Sequence, residues 1–184
     1  PEYFPVVPDD ETFAKLVKDM RALGGHAFPW PSGYHWTTTY DKREDGTFKW
    51  DDRARFARVG EAHAVVNRDG KRYVRTPSWL RGGDCACLCG GDPWTIDWWN
   101  RDVCLPLTRL GCEMIQVDQV VGGAWPSCWA KHHPHGPGEG VWKTDSFRRQ
   151  LVTMRDAMRA VERDAVDCFE EPNEHFNHLV RIQD

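Results

Sequence analysis

The chain has 184 residues, 40% of them hydrophobic and 28% charged, with a formal net charge of −4 and a pI near 6.1. That length suits one domain with a sizeable core, and the charge balance gives no electrostatic reason to expect nucleic acid or an anionic membrane surface as a partner. No apolar run approaches the roughly 20 residues a membrane helix needs. The chain opens at Pro1, so a processed or longer parent is expected.

In chain order, Asp9 to Leu23 reads as an amphipathic helix. Asp9 or Asp10 can cap it, Phe13, Leu16, Val17, Met20 and Leu23 recur at helical spacing, and Gly24-Gly25 ends it. HAFPW (26–30) is expected as a short strand, followed by a polar, aromatic-rich loop (32–50). AHAVVNRDGKRYVR (62–75) has the look of a β-hairpin turning at Arg68, Asp69 and Gly70. DCACLCG (84–90) is an apolar strand, and residues 92–111 form a helix with Pro93 in its first turn and a kink or break at Pro106. CEMIQVDQVVGG (112–123) is a strand that runs into glycines, and the Gly/Pro-rich segment 124–142 is a long loop. Residues 144–164 make the clearest helix, capped near Thr144 or Asp145, and AVDCFEEP (165–172) is the last strand. Strands alternating with helices of about fifteen residues imply a parallel α/β sheet with crossover helices.

In such sheets functional side chains cluster at the C-terminal ends of the strands. Asp118 closes one strand, and Glu170 and Glu171 close another, with Glu174 close behind. His35 and Trp36 follow HAFPW, and Asp92 follows the cysteine-rich strand. Carboxylates on neighbouring strand tips fall about 5–10 Å apart, which suits the acid and nucleophile of glycoside hydrolysis. The ten tryptophans supply flat faces for sugar rings as well as core material. His132, His133 and His135 with Glu139 could ligate a metal, but no helical frame holds them, so the cluster reads as a substrate-lining loop. Cys85, Cys87 and Cys89 alternate along one strand face without the C-x2-C pairs typical of zinc sites, so they read as small buried thiols. No metal or other cofactor is expected. No P-loop, G-x-G-x-x-G turn or G-x-S-x-G elbow is present.

The run GCEMIQVDQVVGG, the loop KHHPHGPGEGVW, the helix FRRQLVTMRDAMR and the ending CFEEPNEHF together resemble a group of large bacterial (β/α)8-barrel proteins that look like glycoside hydrolases. The layout is similar to endo-α-N-acetylgalactosaminidases and α-amylase-like barrels. The resemblance rests on Gln116-Val117-Asp118-Gln119, on His133-Pro134-His135-Gly136-Pro137-Gly138 and on Glu170-Glu171-Pro172-Asn173-Glu174. Gln116 and the order His132-His133-Pro134 depart from the group's usual pattern.

The resemblance implies that residues 1–184 form about half of a (β/α)8 barrel, with the hairpin near 62–75 as an insertion. Asp118 would be the nucleophile of a retaining glycosidase, Glu171 the acid/base and Glu170 its reserve. Trp30, Trp36, Trp125 and Trp129 would be sugar platforms, and His35, His133 and His135 would bond sugar hydroxyls. Asp92, Gln119, Asn173 and Glu174 complete the expected substrate contacts. A partial barrel exposes strand edges, so a second chain or self-association would complete it. Two rival readings stand beside this one: a non-catalytic sugar-binding or scaffold protein on the same frame, and a metal-dependent hydrolase built on the histidine loop.

Overall fold

The computed structural model describes residues 4, 6–120, 126–170, 176, 178–179 and, as backbone alone, 182–183. In chain order the first elements are α1 (Asp10–Ala22), β1 (His35–Thr37), β2 (Thr39–Lys42), β3 (Phe48–Asp51), α2 (Arg53–Val59), β4 (Val74–Arg75) and β5 (Cys85–Cys87). They are followed by α3 (Pro93–Trp99), α4 (Leu105–Arg109), β6 (Met114–Val117), α5 (Trp142–Arg159), β7 (Val166–Phe169) and β8 (Ile182–Gln183). The chain forms two compact units, one from residues 34–95 and 126–143, the other from residues 2–33, 96–125 and 144–184.

The second unit is the parallel α/β one. Asp9 caps α1 by accepting the Thr12 N–H at 2.7 Å. At the other end Gly24, at φ 82°, and Gly25 return their N–H groups to Arg21 and Met20 carbonyls, the Schellman closure that a left-handed glycine permits. The apolar strip is narrower than the periodicity predicts: Val17 is buried, whereas Leu16 and Leu23 are 62% and 90% exposed.

β6 pairs parallel with β7 in the register Met114↔Val166 to Val117↔Phe169, and β8 continues the sheet beyond β7. The other flank of β6 is taken by residues 29–33. Gln116 and Asp118 donate to the Pro29 and Pro31 carbonyls, and Gly33 donates back to Asp118. The expected strand at 26–30 is therefore present as a half-made ladder and is displaced toward residue 33. Pro31 has no N–H to return to Gln116, so regular pairing cannot form there.

α5 buries Phe147, Gln150, Leu151, Met154 and Met158 on one face. Phe147 meets Phe169 and Phe176 edge-on, at centroid distances of 5.7 and 5.0 Å. The helix starts at Trp142, two residues before the expected cap. The expected helix 92–111 is continuous, but residues 100–104 wind as a π-turn just ahead of Pro106. The wider turn accommodates the proline without a break. The Asn100 side chain bridges to α5: it donates to Thr153 Oγ1 at 2.8 Å and accepts from Gln150 Nε2 at 2.8 Å.

The first unit is antiparallel. β5 lies between β1 and β4, paired His35↔Cys87 and Val74↔Ala86. This corrects the expectation that the cysteine-rich strand joins the parallel sheet. Only residues 76–84 separate β4 from β5, too few for the crossover that parallel pairing requires. The hairpin expected at 62–75 forms over residues 65–73, with Asn67 N–H donating to Lys71 and Gly70 N–H closing the turn onto Asn67, whereas Ala62 and His63 end a short 3-10 turn. β2 and β3 form a separate hairpin with the register Tyr40↔Trp50.

Candidate active site

The in-register pairing of β6 and β7 places position 118 across from position 170, one residue beyond the last ladder pair, Val117↔Phe169. Alternation puts Asp118 on the face of Gln116, and Glu170 on that of Cys168. That is one shared face, because the Cys168 thiol points at Gln116 Oε1 at 3.9 Å. It lies opposite the face on which Phe169 meets α5. Both acids are half-buried at the strand ends.

Two backbone features fix these tips. Gln119 adopts φ 58°, a left-handed turn that ends the strand and aims its N–H sideways. Glu170 Oε2 accepts that N–H at 2.9 Å, so the carboxylate clasps the end of the neighbouring strand. On the other flank Ser32 bridges Asp118 in parallel pairing. Next to it, a Cβ on Gly33 would lie 2.3 Å from Val120 Cγ2 and 2.7 Å from the Asp118 carbonyl oxygen. Only glycine lets the chain pass there. Ser32 and Gly33 are the positions sequence reasoning missed. The strand-end rule started from HAFPW and so pointed to residues 35 and 36, whereas the strand ends at 32–33.

The other candidates divide between the two units. Trp30, in the unit of Asp118, is 59% exposed and packs at a steep angle against Phe28. Glu171, Asn173, Glu174 and Trp125 lie outside the described residues. Gln119 contributes its main chain, as above.

In the antiparallel unit several expected sugar contacts have other work. Trp36 is buried; its Nε1–H donates to Asp52 at 2.8 Å, and its ring lies between Phe56 and the Arg55 guanidinium. It is a core residue, not a platform. His35 is also buried, and Arg75 Nη1 donates to its Nε2 at 3.0 Å. Burial, helped by the nearby Arg75 charge, pushes its pKa down to about 4 and keeps the ring neutral. Asp92 caps the start of α3 by accepting the Trp94 N–H at 3.1 Å; its other oxygen faces His63 Nδ1 at 2.7 Å. Trp129 lies under the Arg68 guanidinium and against Gly138.

Most of the histidine loop is exposed, but its two candidate sugar contacts turn inward. His133 is 6% exposed and both of its ring nitrogens have partners, Cys128 Sγ at 3.4 Å and the Ala62 carbonyl at 3.1 Å. His135 Nε2 is 3.1 Å from Cys89 Sγ. These four side chains form a compact group with ligand atoms within 4.8 Å of one another.

Residues 1–180 match the model of the family described as "Domain of unknown function (DUF6259)", and the chain belongs to that family. It is 28% identical over 160 residues to a Bacteroides thetaiotaomicron protein named "Putative glycoside hydrolase", covering 84% of this chain but 21% of that protein. In fold it is similar to a maltogenic α-amylase from Thermotoga neapolitana, with a TM-score of 0.59 and 10% identity over 95% of this chain and 31% of the other. It is also similar to a GH31 family sulfoquinovosidase from E. rectale, solved with an aza-sugar inhibitor, with a TM-score of 0.54 and 10% identity. That match covers 92% of this chain and 23% of the other. The chain thus spans about a fifth to a third of the proteins it resembles.

Proposed function

We propose that residues 1–184 are part of the catalytic (β/α)8 barrel of a retaining glycoside hydrolase, with Asp118 as nucleophile and Glu171 as acid/base. The observation that carries this reading is the placement of Asp118 across from Glu170 on one face at the C-terminal ends of two parallel strands, fastened by the Glu170–Gln119 clasp. That is the rim where such folds do chemistry, and the similarity to glycosidases points the same way.

In this mechanism Asp118 attacks the anomeric carbon while Glu171 gives its proton to the departing oxygen. The resulting glycosyl-enzyme is then hydrolysed by a water that Glu171 deprotonates. Glu170 positions the pair. Its carboxylate holds the Gln119 N–H at 2.9 Å, which fixes the end of the strand that carries Asp118. The exposed Trp30 is the sugar platform in this unit, and the substrate is a carbohydrate. The remaining strands come from the rest of a longer polypeptide or from a second chain.

The test is mechanism-based labelling of the full native polypeptide with a panel of activated 2-deoxy-2-fluoroglycosides. A covalent adduct on the peptide containing Asp118 is expected. Glu171→Ala should regain turnover of aryl glycosides when azide is added, whereas Glu170→Ala should not. An adduct on a different carboxylate removes the assignment. A total absence of turnover and adducts, with sugar binding intact, favours the non-catalytic reading.

A further inference from the structure

We propose that Cys89, Cys128, His133 and His135 form a closed, tetrahedral zinc site that fastens the Gly/Pro-rich loop of residues 126–141 to the end of β5. No step of the proposed glycosidase mechanism uses these residues, and His133 and His135, expected from the sequence to bond sugar hydroxyls, are assigned to the metal instead.

The geometry suits the ion. Zinc bound by two sulfurs at about 2.3 Å and two nitrogens at about 2.0–2.1 Å sits in a tetrahedron with edges of roughly 3.3–3.8 Å. Cys89 Sγ to His135 Nε2 is 3.1 Å, Cys128 Sγ to His133 Nδ1 is 3.4 Å, and every other pair falls within 4.8 Å. Shifts of about 1 Å or less close that set around a metal.

Hydrogen bonding has already prepared the rings. His133 uses Nε2 on the Ala62 carbonyl at 3.1 Å, and His135 uses Nδ1 on the Gly136 carbonyl at 2.7 Å. A carbonyl only accepts, so each of those nitrogens carries the proton, and the nitrogen facing the cysteines presents its lone pair. Fixing the tautomer through the far nitrogen is the usual second layer of a histidine–metal site.

The scaffold holds the four in place. Cys89 N–H is bonded to His63 and Trp129 N–H to Val66, while Gly138 N–H closes back on Cys128. His135 stacks on Trp142 at 3.9 Å. A Cβ on Gly91 would meet both rings at 2.5 Å, so the glycine after the strand makes room for the ligand.

Two thiolates and two imidazoles select a borderline ion over calcium or magnesium, which take oxygen ligands. As Cys89 and Cys128 ligate they release two protons, and the two thiolates balance the divalent charge, so the buried site is neutral. Four protein ligands leave no open position for water, which makes the site structural and not catalytic. The C-x2-C rule missed it because one ligand stands 39 positions upstream of the next, and only the antiparallel folding of this unit unites them.

The experiment is elemental analysis of the full native polypeptide, purified without a metal-binding tag or chelator. One zinc per chain is expected. Replacement by cobalt should give the intense visible bands of four-coordinate, sulfur-ligated Co(II). Titrating the native protein with a mercurial should release the zinc as two thiols react, a readout that needs no variant to fold. Cys128→Ser and Gly91→Ala should each lose the cobalt spectrum, while Cys85→Ser retains it. Substoichiometric zinc with no cobalt spectrum overturns the proposal, as does a Cys89–Cys128 disulfide found by peptide mass mapping.

Discussion

The parallel unit and the antiparallel unit hold themselves together by different means. β6, β7 and α5 rely on a regular ladder and on interlocking apolar side chains such as Phe147, Phe169 and Phe176. The segment 126–141 has one isolated bridge, Cys128↔Gly138, a backbone bond from Trp129 to Val66, and side-chain contacts from His132 and His133 to Ala62 and from His135 to Cys89. Periodic burial specifies the first region, and a few directed contacts specify the second. Asp118 and Glu170 lie on the first, at the ends of the paired strands.

That contrast can be broken or sharpened by substitution. The largest effect expected is on activity: Asp118→Asn should lower kcat at least about a thousandfold, roughly 4 kcal/mol of barrier. If Asp118 is the proposed nucleophile, the variant should still unfold cooperatively while losing turnover. Near-normal turnover would return the strand tip to a structural role.

Next comes Gly33→Ala, expected to cost about 3 kcal/mol in denaturant unfolding because backbone at Asp118 must move. An unchanged midpoint would mean that the flank of β6 adapts freely.

A comparable effect of opposite sign is expected at Asp167, buried on β7. Burial raises its pKa to about 6 from 3.8, and Oδ2 has no partner among the described residues. Its protonated form adds stability that is complete below the unfolded value and is lost as pH rises through about 6. Asp167→Asn should therefore stabilise the protein at pH 7 by about 2–3 kcal/mol and flatten its stability between pH 4 and 6. Equal melting temperatures at pH 7 would show that the carboxylate finds compensation there.

The smallest effect is at α1, where Asp9→Ala should slightly lower the unfolding midpoint through loss of the Thr12 cap. Chemical denaturation reads it directly.

The two units also differ in how far they could be read from residues alone. α1, with its Asp9 cap and Gly24 closure, follows from local rules, and so do β6, β7 and α5, whose patterns match their burial. Asp118 and Glu170 followed from the rule that chemistry gathers at strand ends. Trp36 and His35 were misplaced because Pro29 and Pro31 hide a strand by removing donors, which shifted the apparent strand end. The direction of β5 was misread because the sequence motif CACLC fits either kind of sheet, and only the short link from β4 decides. The Cys89–His135 grouping has no local signature at all, since it exists only after the chain between them has folded back.

Position 119 acts through the peptide link rather than the group attached to it. Any residue that tolerates a left-handed backbone could offer Glu170 the same amide hydrogen, so an alanine scan there would register backbone preference and overlook the clasp. Glycine should even be welcome. Replacing that single amide by an ester, which keeps the shape and deletes the donor, is the change that would show how much of the rim's rigidity passes through one hydrogen.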